Sequence, residues 1–301
     1  MISFCNRINA AIAATAVGLW SAAAGARAAD PPASGFGPEA AVATDCETQK
    51  GKTLSIIKIS NALTAILDDG RDVRLSGLLF PTAPLTVNAG ESPWPAHQAA
   101  HSALKELTAG AITEIAIADE PSDRHGRASA QMYAMATGKR TWIQRVLIER
   151  GHAMVSSRSG GTASCLRSLL ATEALARQTR QGLWASAAYR VHDAADVAGL
   201  SRLRSSFAIV EGKVRSVTRL SGRLLLNFGD DWRTDFTAVV PKRLLSKATD
   251  DAVKLQVLTG HTIRVRGWIE RRYGPSVEIF STSDIEDLNS ATAAADPTAS
   301  P

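Results

Sequence analysis

The stretch Asp69-Gly70-Arg71-Asp72-Val73-Arg74-Leu75-Ser76-Gly77-Leu78-Leu79-Phe80-Pro81 decides the reading of this chain. Its opening Asp-Gly, preceded by Asp68, is a hairpin signal, because glycine readily takes the positive φ that a tight turn demands. Val73 to Leu79 then reads as a strand carrying one arginine, Arg74. Phe80-Pro81 ends it, since proline brings no N–H to a ladder. Upstream, Thr53 to Ile59 and Leu63 to Leu67 read as two strands broken at Ser60-Asn61. Downstream, Thr82 to Trp94 reads as a loop, and Ala96 to Ala109 as a helix with Gly110 just past its end. Ala111 to Ala118 and Ala128 to Ala134 read as strands flanking Asp123-Arg124-His125-Gly126-Arg127. Thr141 to Arg150 reads as a second helix closed by Gly151. A third begins with Ser164 as N-cap, carries Leu166, Leu169 and Leu170 on one face, sets Glu173 and Arg177 at i,i+4, and ends at Gly182.

The strand around Arg74, the loop 123–127 and the pattern Glu173-x-x-Ala176-Arg177-x-x-x-x-Gly182-Leu183-Trp184 together resemble the staphylococcal-nuclease (thermonuclease) family over about residues 46–190. The resemblance implies an α+β domain that is mainly β: a small OB barrel with three helices, the first inserted between the third and fourth strands. In that family a strand reading roughly V-R-L-x-G-I-D-x-P-E supplies an arginine, a metal-binding aspartate and a glutamate base, and a later D-x-Y/H-G-R supplies a second arginine. Arg74 and Arg127 match the two arginines, and His125 stands where a tyrosine is common. The family aspartate falls on Leu79 and its glutamate on Thr82. The usual upstream D-G-D-T falls on Asn61-Ala62-Leu63-Thr64, so that the other metal aspartate becomes Leu63.

Those replacements bear on chemistry. A hard cation such as calcium needs oxygen ligands, and leucine offers none. General-base help is worth about 10²–10⁴ in rate, and a threonine does not supply it at neutral pH. No metal site is identified and no cofactor is expected; calcium enters only if non-standard ligands sustain a nuclease. Asp68, Asp69 and Asp72 lie at the far end of a strand spanning roughly 23 Å from Leu79, which leaves Glu91 in the loop as a substitute base. Arg74 and Arg127 carry two readings, a fork that grips phosphate and a pair of structural salt bridges, with Asp123 as one partner. His97 and His101, at i,i+4 on the first helix, read as solvated histidines, since zinc would need further ligands.

Residues 191–205 read as a linker with helical potential. From Ser206 the pattern changes to short strands at 208–217, 223–228, 236–240, 262–270 and 276–280, with 242–259 helix-like, which suggests a second small OB-like β-barrel over 206–288. Leu226-Asn227-Phe228-Gly229, Trp232 and Tyr273-Gly274-Pro275 resemble the C-terminal module that accompanies thermonuclease-like domains in some secreted bacterial proteins. Arg215, Arg219, Arg223, Arg233, Arg264, Arg266, Arg271 and Arg272 are interleaved there with Phe228, Trp232, Phe236, Trp268 and Tyr273. That mixture suits a single-strand binder, although alternating strand aromatics are ordinarily core.

The ends read differently. Arg7 precedes an alanine-rich apolar run that closes in Ala26-Arg27-Ala28-Ala29, the form of a secretory signal over residues 1–29. A Pro/Ala/Gly-rich leader (30–45) and an Ala/Thr/Ser/Pro-rich tail (289–301) read as disordered. The mature chain is then expected in the periplasm or outside the cell with no membrane insertion. In an oxidising compartment Cys46 and Cys165 form a candidate disulfide. A net charge of +5 is compatible with a polyanionic partner. Three functions stand open: binding of nucleic acid or another phosphate-bearing ligand without efficient hydrolysis, a nuclease with non-standard ligands, and an envelope protein-interaction module.

Overall fold

The structure, a computed structural model, describes residues 46, 49–82, 94–118, 123–136, 138–245 and 254–289. The signal, the leader, Glu91, most of the loop 82–94, part of 242–259 and nearly all of the tail lie outside the described residues.

The N-terminal sheet is built from β1 (Lys52–Leu54), β2 (Ile56–Ile59), β3 (Thr64–Leu67), β4 (Asp72–Leu75) and, beyond the short β5 (Leu78–Leu79) and the helix α1 (Pro95–Thr108), from β6 (Ile112–Ile117), β7 (Ala128–Ala136) and β8 (Lys139–Trp142). Its order is β1-β6-β7-β4-β3-β2, with β8 paired to β7. Only Ser55 separates β1 from β2, yet β1 pairs with β6 and β2 with β3, so one bent strand closes the two ends of the sheet on each other. The bend is pinned on both sides, because the Ser55 N–H donates to the Asp68 carboxylate (3.2 Å) and the Asp68 N–H to the Ser55 carbonyl (3.0 Å). Two more helices, α2 (Ile143–Glu149) and α3 (Ala163–Gln178), with the short β9 (Met154–Val155) between them, complete this part. The fold is therefore mixed and mainly β, as the resemblance implies, and the three helices expected of it are found among the described residues.

Local details differ from the sequence reading. Thr141 and Trp142, read as the start of the second helix, instead end the strand β8 and sit opposite Ala134 and Tyr133 of β7 in register. The third helix is capped by Thr162, whose hydroxyl accepts from the Cys165 N–H (3.3 Å), and not by Ser164. It stops at Gln178, well before Gly182. Gly182 serves another purpose: a Cβ there would lie 2.4 Å from the Gly151 carbonyl oxygen, so the two backbones touch only because both residues are glycine.

The C-terminal sheet comprises β10 (Val191–Asp193), β11 (Phe207–Lys213), β12 (Ser216–Leu220), β13 (Arg223–Asn227), β14 (Thr237–Val240), β15 (Thr262–Arg271), β16 (Pro275–Glu278) and β17 (Ile285–Asp287), with short helices α4 (Val197–Arg202) and α5 (Lys242–Leu245). Its order is β10-β11-β15-β16-β14-β13-β12, with β17 against β15. The segment 191–205, read as a linker, thus supplies an edge strand and a helix. Each sheet has its own apolar core, one around Leu67, Val73, Met132 and Leu147, the other around Leu226, Phe236, Val265 and Val277. Phe236 is fully buried, so it belongs to that core and not to a binding face.

A third cluster, Met154, Ala176, Leu183, Trp184 and Ile209, joins the two sheets. Beside it lies a charged network. Arg266 on β15 is 1% exposed and donates to Glu173 on α3 (2.6 Å), which is wholly buried, and to the Val155 carbonyl (3.2 Å). Glu286 also pairs with Arg266, and Arg177 spans Glu173 (3.3 Å) and Glu286 (3.8 Å). Burial alone would weaken the charge on Arg266, but the two carboxylates outweigh it and raise its pKa further. Burial would likewise push the Glu286 carboxyl up, and Arg266 and Arg177 instead hold it below its ordinary value. Ser157 adds a hydrogen bond across the same junction to Asp284 (2.8 Å).

Cys46 and Cys165 form a disulfide, with Cα atoms 5.4 Å apart and a sequence separation of 119. It ties the chain ahead of β1 to the first turn of α3.

Three outcomes follow for stability. Replacing both cysteines by alanine lowers the unfolding free energy by about 3–5 kcal/mol, the chain-entropy value for so long a loop; an unchanged urea midpoint would count against the bridge. Glu173→Leu leaves Arg266 short of a partner in a buried site and costs on the order of 3 kcal/mol. Adding Arg266→Met recovers part of that loss, whereas additive losses would deny the pairing. Because the folded value of Glu286 is lowered, its contribution is complete above the ordinary carboxylate range, about 4.3, and is lost as pH falls through its lowered value. Stability measured from pH 6 downward to about 3 therefore falls less steeply in Glu286→Gln.

Candidate functional site

Arg74 sits on β4 and Ser129 on β7, and the parallel pairing of these strands puts the two residues side by side. The Arg74 Nε donates to the Ser129 hydroxyl (2.9 Å), which in turn donates to the Ser159 carbonyl (3.0 Å). Arg127 ends the loop just before β7. That loop is folded by Asp123, whose Oδ1 accepts from the backbone N–H groups of His125 (2.8 Å) and Arg127 (3.1 Å). The other oxygen, Oδ2, accepts from Arg127 Nε (2.9 Å) and pairs with its Nη2 (2.8 Å), while Arg74 Nη1 approaches the same atom at 4.0 Å. Desolvation would raise the Asp123 carboxyl, but the Arg127 side chain and the two backbone donors outweigh it and hold the group far below the usual carboxylate range. Two guanidinium groups therefore converge on one anionic oxygen, and both remain partly open to solvent.

The other sequence candidates fall in different places. His125 is exposed and accepts a hydrogen bond at Nε2 from Arg124 (3.0 Å), so its ring faces its neighbour and not the arginine pair. Leu63 is 1% exposed and lies in the N-terminal core, although its φ of 59° is unusual for a leucine. The surrounding turn holds it there: the Ser60 hydroxyl accepts from the N–H groups of Ala62 and Thr64, both at 3.2 Å. Leu79 packs against the apolar cluster between the two sheets. Thr82 is exposed, and its carbonyl accepts from the Tyr189 hydroxyl (3.0 Å), which itself accepts from Trp94 Nε1 (2.8 Å). Among the described residues there is no group of three histidine, cysteine or acidic side chains arranged to hold a metal ion.

The two histidines of α1 are not the solvated pair the sequence suggests. His97 sets one ring nitrogen 2.9 Å from the Asn61 carbonyl and the other 3.3 Å from the Pro81 carbonyl. It thus fastens the turn carrying Leu63 to the segment carrying Thr82. His101 buries Nε2 without a hydrogen-bond partner among the described residues. Ser129 and the tie made by His97 escaped the sequence reading because each meets its partner far away in the chain; only the correct register of β4 against β7 puts Ser129 beside Arg74.

Comparison with known proteins agrees with this architecture. No curated protein matches the chain. The model for the family described as staphylococcal nuclease homologue matches residues 73–186, a span that runs from the strand bearing Arg74 through the Asp123–Arg127 loop to Trp184. Residues 73–186 of this chain form a staphylococcal-nuclease-like domain.

Proposed function

We propose that this is an exported protein, periplasmic or secreted, whose nuclease-like domain binds a phosphate-bearing ligand, nucleic acid foremost, without hydrolysing it efficiently. The observation that carries the reading is the convergence of Arg74 and Arg127 on Asp123 Oδ2, at 4.0 and 2.8 Å. Paired guanidinium groups set around one anionic oxygen suit a second anion arriving from solvent, since arginine presents several donors in a fixed fork. Arg74 gives its Nε to Ser129, and among the described residues its terminal nitrogens form no hydrogen bond, Nη1 lying 4.0 Å from Asp123 Oδ2.

The residues at the family's metal and base positions support binding over cleavage. A calcium ion needs several oxygen ligands. Leu63 turns into the core and Leu79 into the inter-sheet cluster, neither offering an oxygen, and the Asp123 carboxylate is already held by Arg127. The donor set does not fit the family's metal. Thr82 has no basic group at neutral pH. The nucleic-acid class of ligand agrees with the domain's family and with the net charge of +5.

The mature protein is tested for cleavage of single- and double-stranded DNA and RNA with calcium, magnesium, manganese or EDTA, and for binding of the same molecules by anisotropy. The expected result is salt-sensitive binding with intact substrate, weakened about tenfold or more by Arg74→Ala or Arg127→Ala. Metal-dependent cleavage that Arg127→Ala abolishes overturns the reading in favour of a nuclease with non-standard ligands. Absence of both binding and cleavage transfers the function to protein interaction.

A further inference from the structure

The C-terminal sheet carries a cleft of about 300 Å³ that the arginine pair does not touch. Its floor is formed by β13 and β14, and its lip by the loop bearing Trp232 and the turn bearing Tyr273. These two rings meet edge to face, with centroids 5.1 Å apart. Both are exposed, Trp232 to 40% and Tyr273 to 69%, although burying such rings is among the largest apolar gains a fold can make.

The backbone holds them there at a cost. Tyr273 has φ 132°, a conformation a tyrosine rarely adopts. The next residue is glycine, and a Cβ on Gly274 would stand 2.5 Å from the carbonyl oxygens of Thr234 and Asp235. The turn is therefore pressed against the loop of Trp232, and the pair is fixed in advance of any ligand. Tyr273 lies in the turn between the paired Arg271 and Pro275, and the strain taken there leaves its ring at the surface against Trp232 instead of in the core.

The chemistry of the lining selects the occupant. The polar side chains of the floor are already spent on one another. Asn227 donates to Ser216 (3.0 Å) and Thr218 (3.3 Å) and accepts from Thr237 (3.4 Å), while Asp235 accepts from the Asp231 N–H (2.9 Å). A sugar, which needs many hydrogen-bonding partners, would find few. Cations are the charged groups with capacity to spare at the rim. Arg233 lies over the Trp232 ring at 4.7 Å, and Arg223, exposed at the cleft edge, makes no ion pair among the described residues. Flat aromatic faces beside arginines are the means by which single strands are held, with bases on rings and phosphates on cations.

We infer that the Trp232–Tyr273 cleft is a base-stacking site for single-stranded nucleic acid, separate from the Arg74–Arg127 pair and sharing with the proposed function only its class of ligand. The two are separable by mutation. Binding of a labelled oligothymidylate of about twelve nucleotides is measured by anisotropy for the mature protein, for Trp232→Ala, Tyr273→Ala and Trp232→Phe, and for the double variant Arg74→Ala/Arg127→Ala. Each alanine at the cleft weakens binding roughly ten- to hundredfold, as loss of a stacked base does, and Trp232→Phe, which keeps an aromatic face, stays within a few-fold of the parent. Loss in the cleft variants with little change in the arginine double variant supports the cleft and removes the arginine pair from nucleic-acid binding. Loss in the arginine double variant with unchanged cleft variants overturns the cleft and leaves the proposed function standing. Absence of binding by the parent protein, or displacement of the oligonucleotide by an uncharged oligosaccharide, overturns the cleft outright.

Discussion

The guanidinium of Arg266 is the constraint around which the two halves are arranged. A cation 1% exposed is tolerable only with its charge answered. The answer comes from both sides of the junction, Glu173 from α3 and Glu286 from β17. Arg177 and Arg264 answer the carboxylates in turn, and Glu211 pairs with Arg264 at 2.6 Å, so three arginines meet three glutamates. Separating the sheets would leave fully desolvated partners unpaired or force their rehydration. Such a network specifies one docking geometry more than it adds net stability, since matched apolar residues would often do as well energetically. The apolar cluster of Met154, Ala176, Leu183, Trp184 and Ile209 supplies the non-directional attraction, and the charges supply the registration.

On the proposed reading, this junction reaches Leu79, the residue set where the family carries a metal aspartate. Leu79 belongs to β5, which pairs with β9, the strand that also contributes Met154 to the inter-sheet cluster and the Val155 carbonyl to Arg266. On the proposed reading, an oxygen ligand has been exchanged for packing surface. The Thr82 segment is bound into the same region through Tyr189, which packs against that cluster and donates to the Thr82 carbonyl. His97 holds the Asn61 turn to Pro81. Segments that would carry a metal and a base in the family are here fastened to one another by a ring and two carbonyls.

Much of the N-terminal fold was legible because it rests on local signals. Asp69-Gly70 fixes a hairpin, Gly110 and Gly151 follow helices in the left-handed conformation, and apolar spacing marks α3. The arginine pair was legible through its motifs alone. What escaped depends on distant partners. Glu173 and Arg177 read simply as an i,i+4 pair on their own helix, whereas Glu173 is wholly buried against Arg266, 93 positions away. Arg264 and Arg266 read as part of a basic binding surface for the same reason; with carboxylates supplied by other strands they are internal ties. Residues 191–193 looked like a connector because three residues carry no usable period, and β11 alone gives them an edge to join.

The cations of this chain divide into those that build the fold and those left for a ligand. Arg264 and Arg266 are consumed by glutamates, and Arg272 is drawn to Glu278 at 2.7 Å and Glu270 at 3.7 Å. Arg74, whose Nη1 comes no nearer than 4.0 Å to a carboxylate oxygen among the described residues, and Arg223, with no ion pair among them, are not consumed. An arginine kept at a surface without a carboxylate loses little, because exposed ion pairs are worth only about 0–1 kcal/mol. Exposure of Arg223 would therefore signify nothing by itself. Its weight comes from the strained Tyr273 and the exposed Trp232 beside the same cleft, where packing gains have been forgone. Loss of burial together with backbone strain is a stronger pointer to a ligand than positive charge, which this fold spends freely on its own interior.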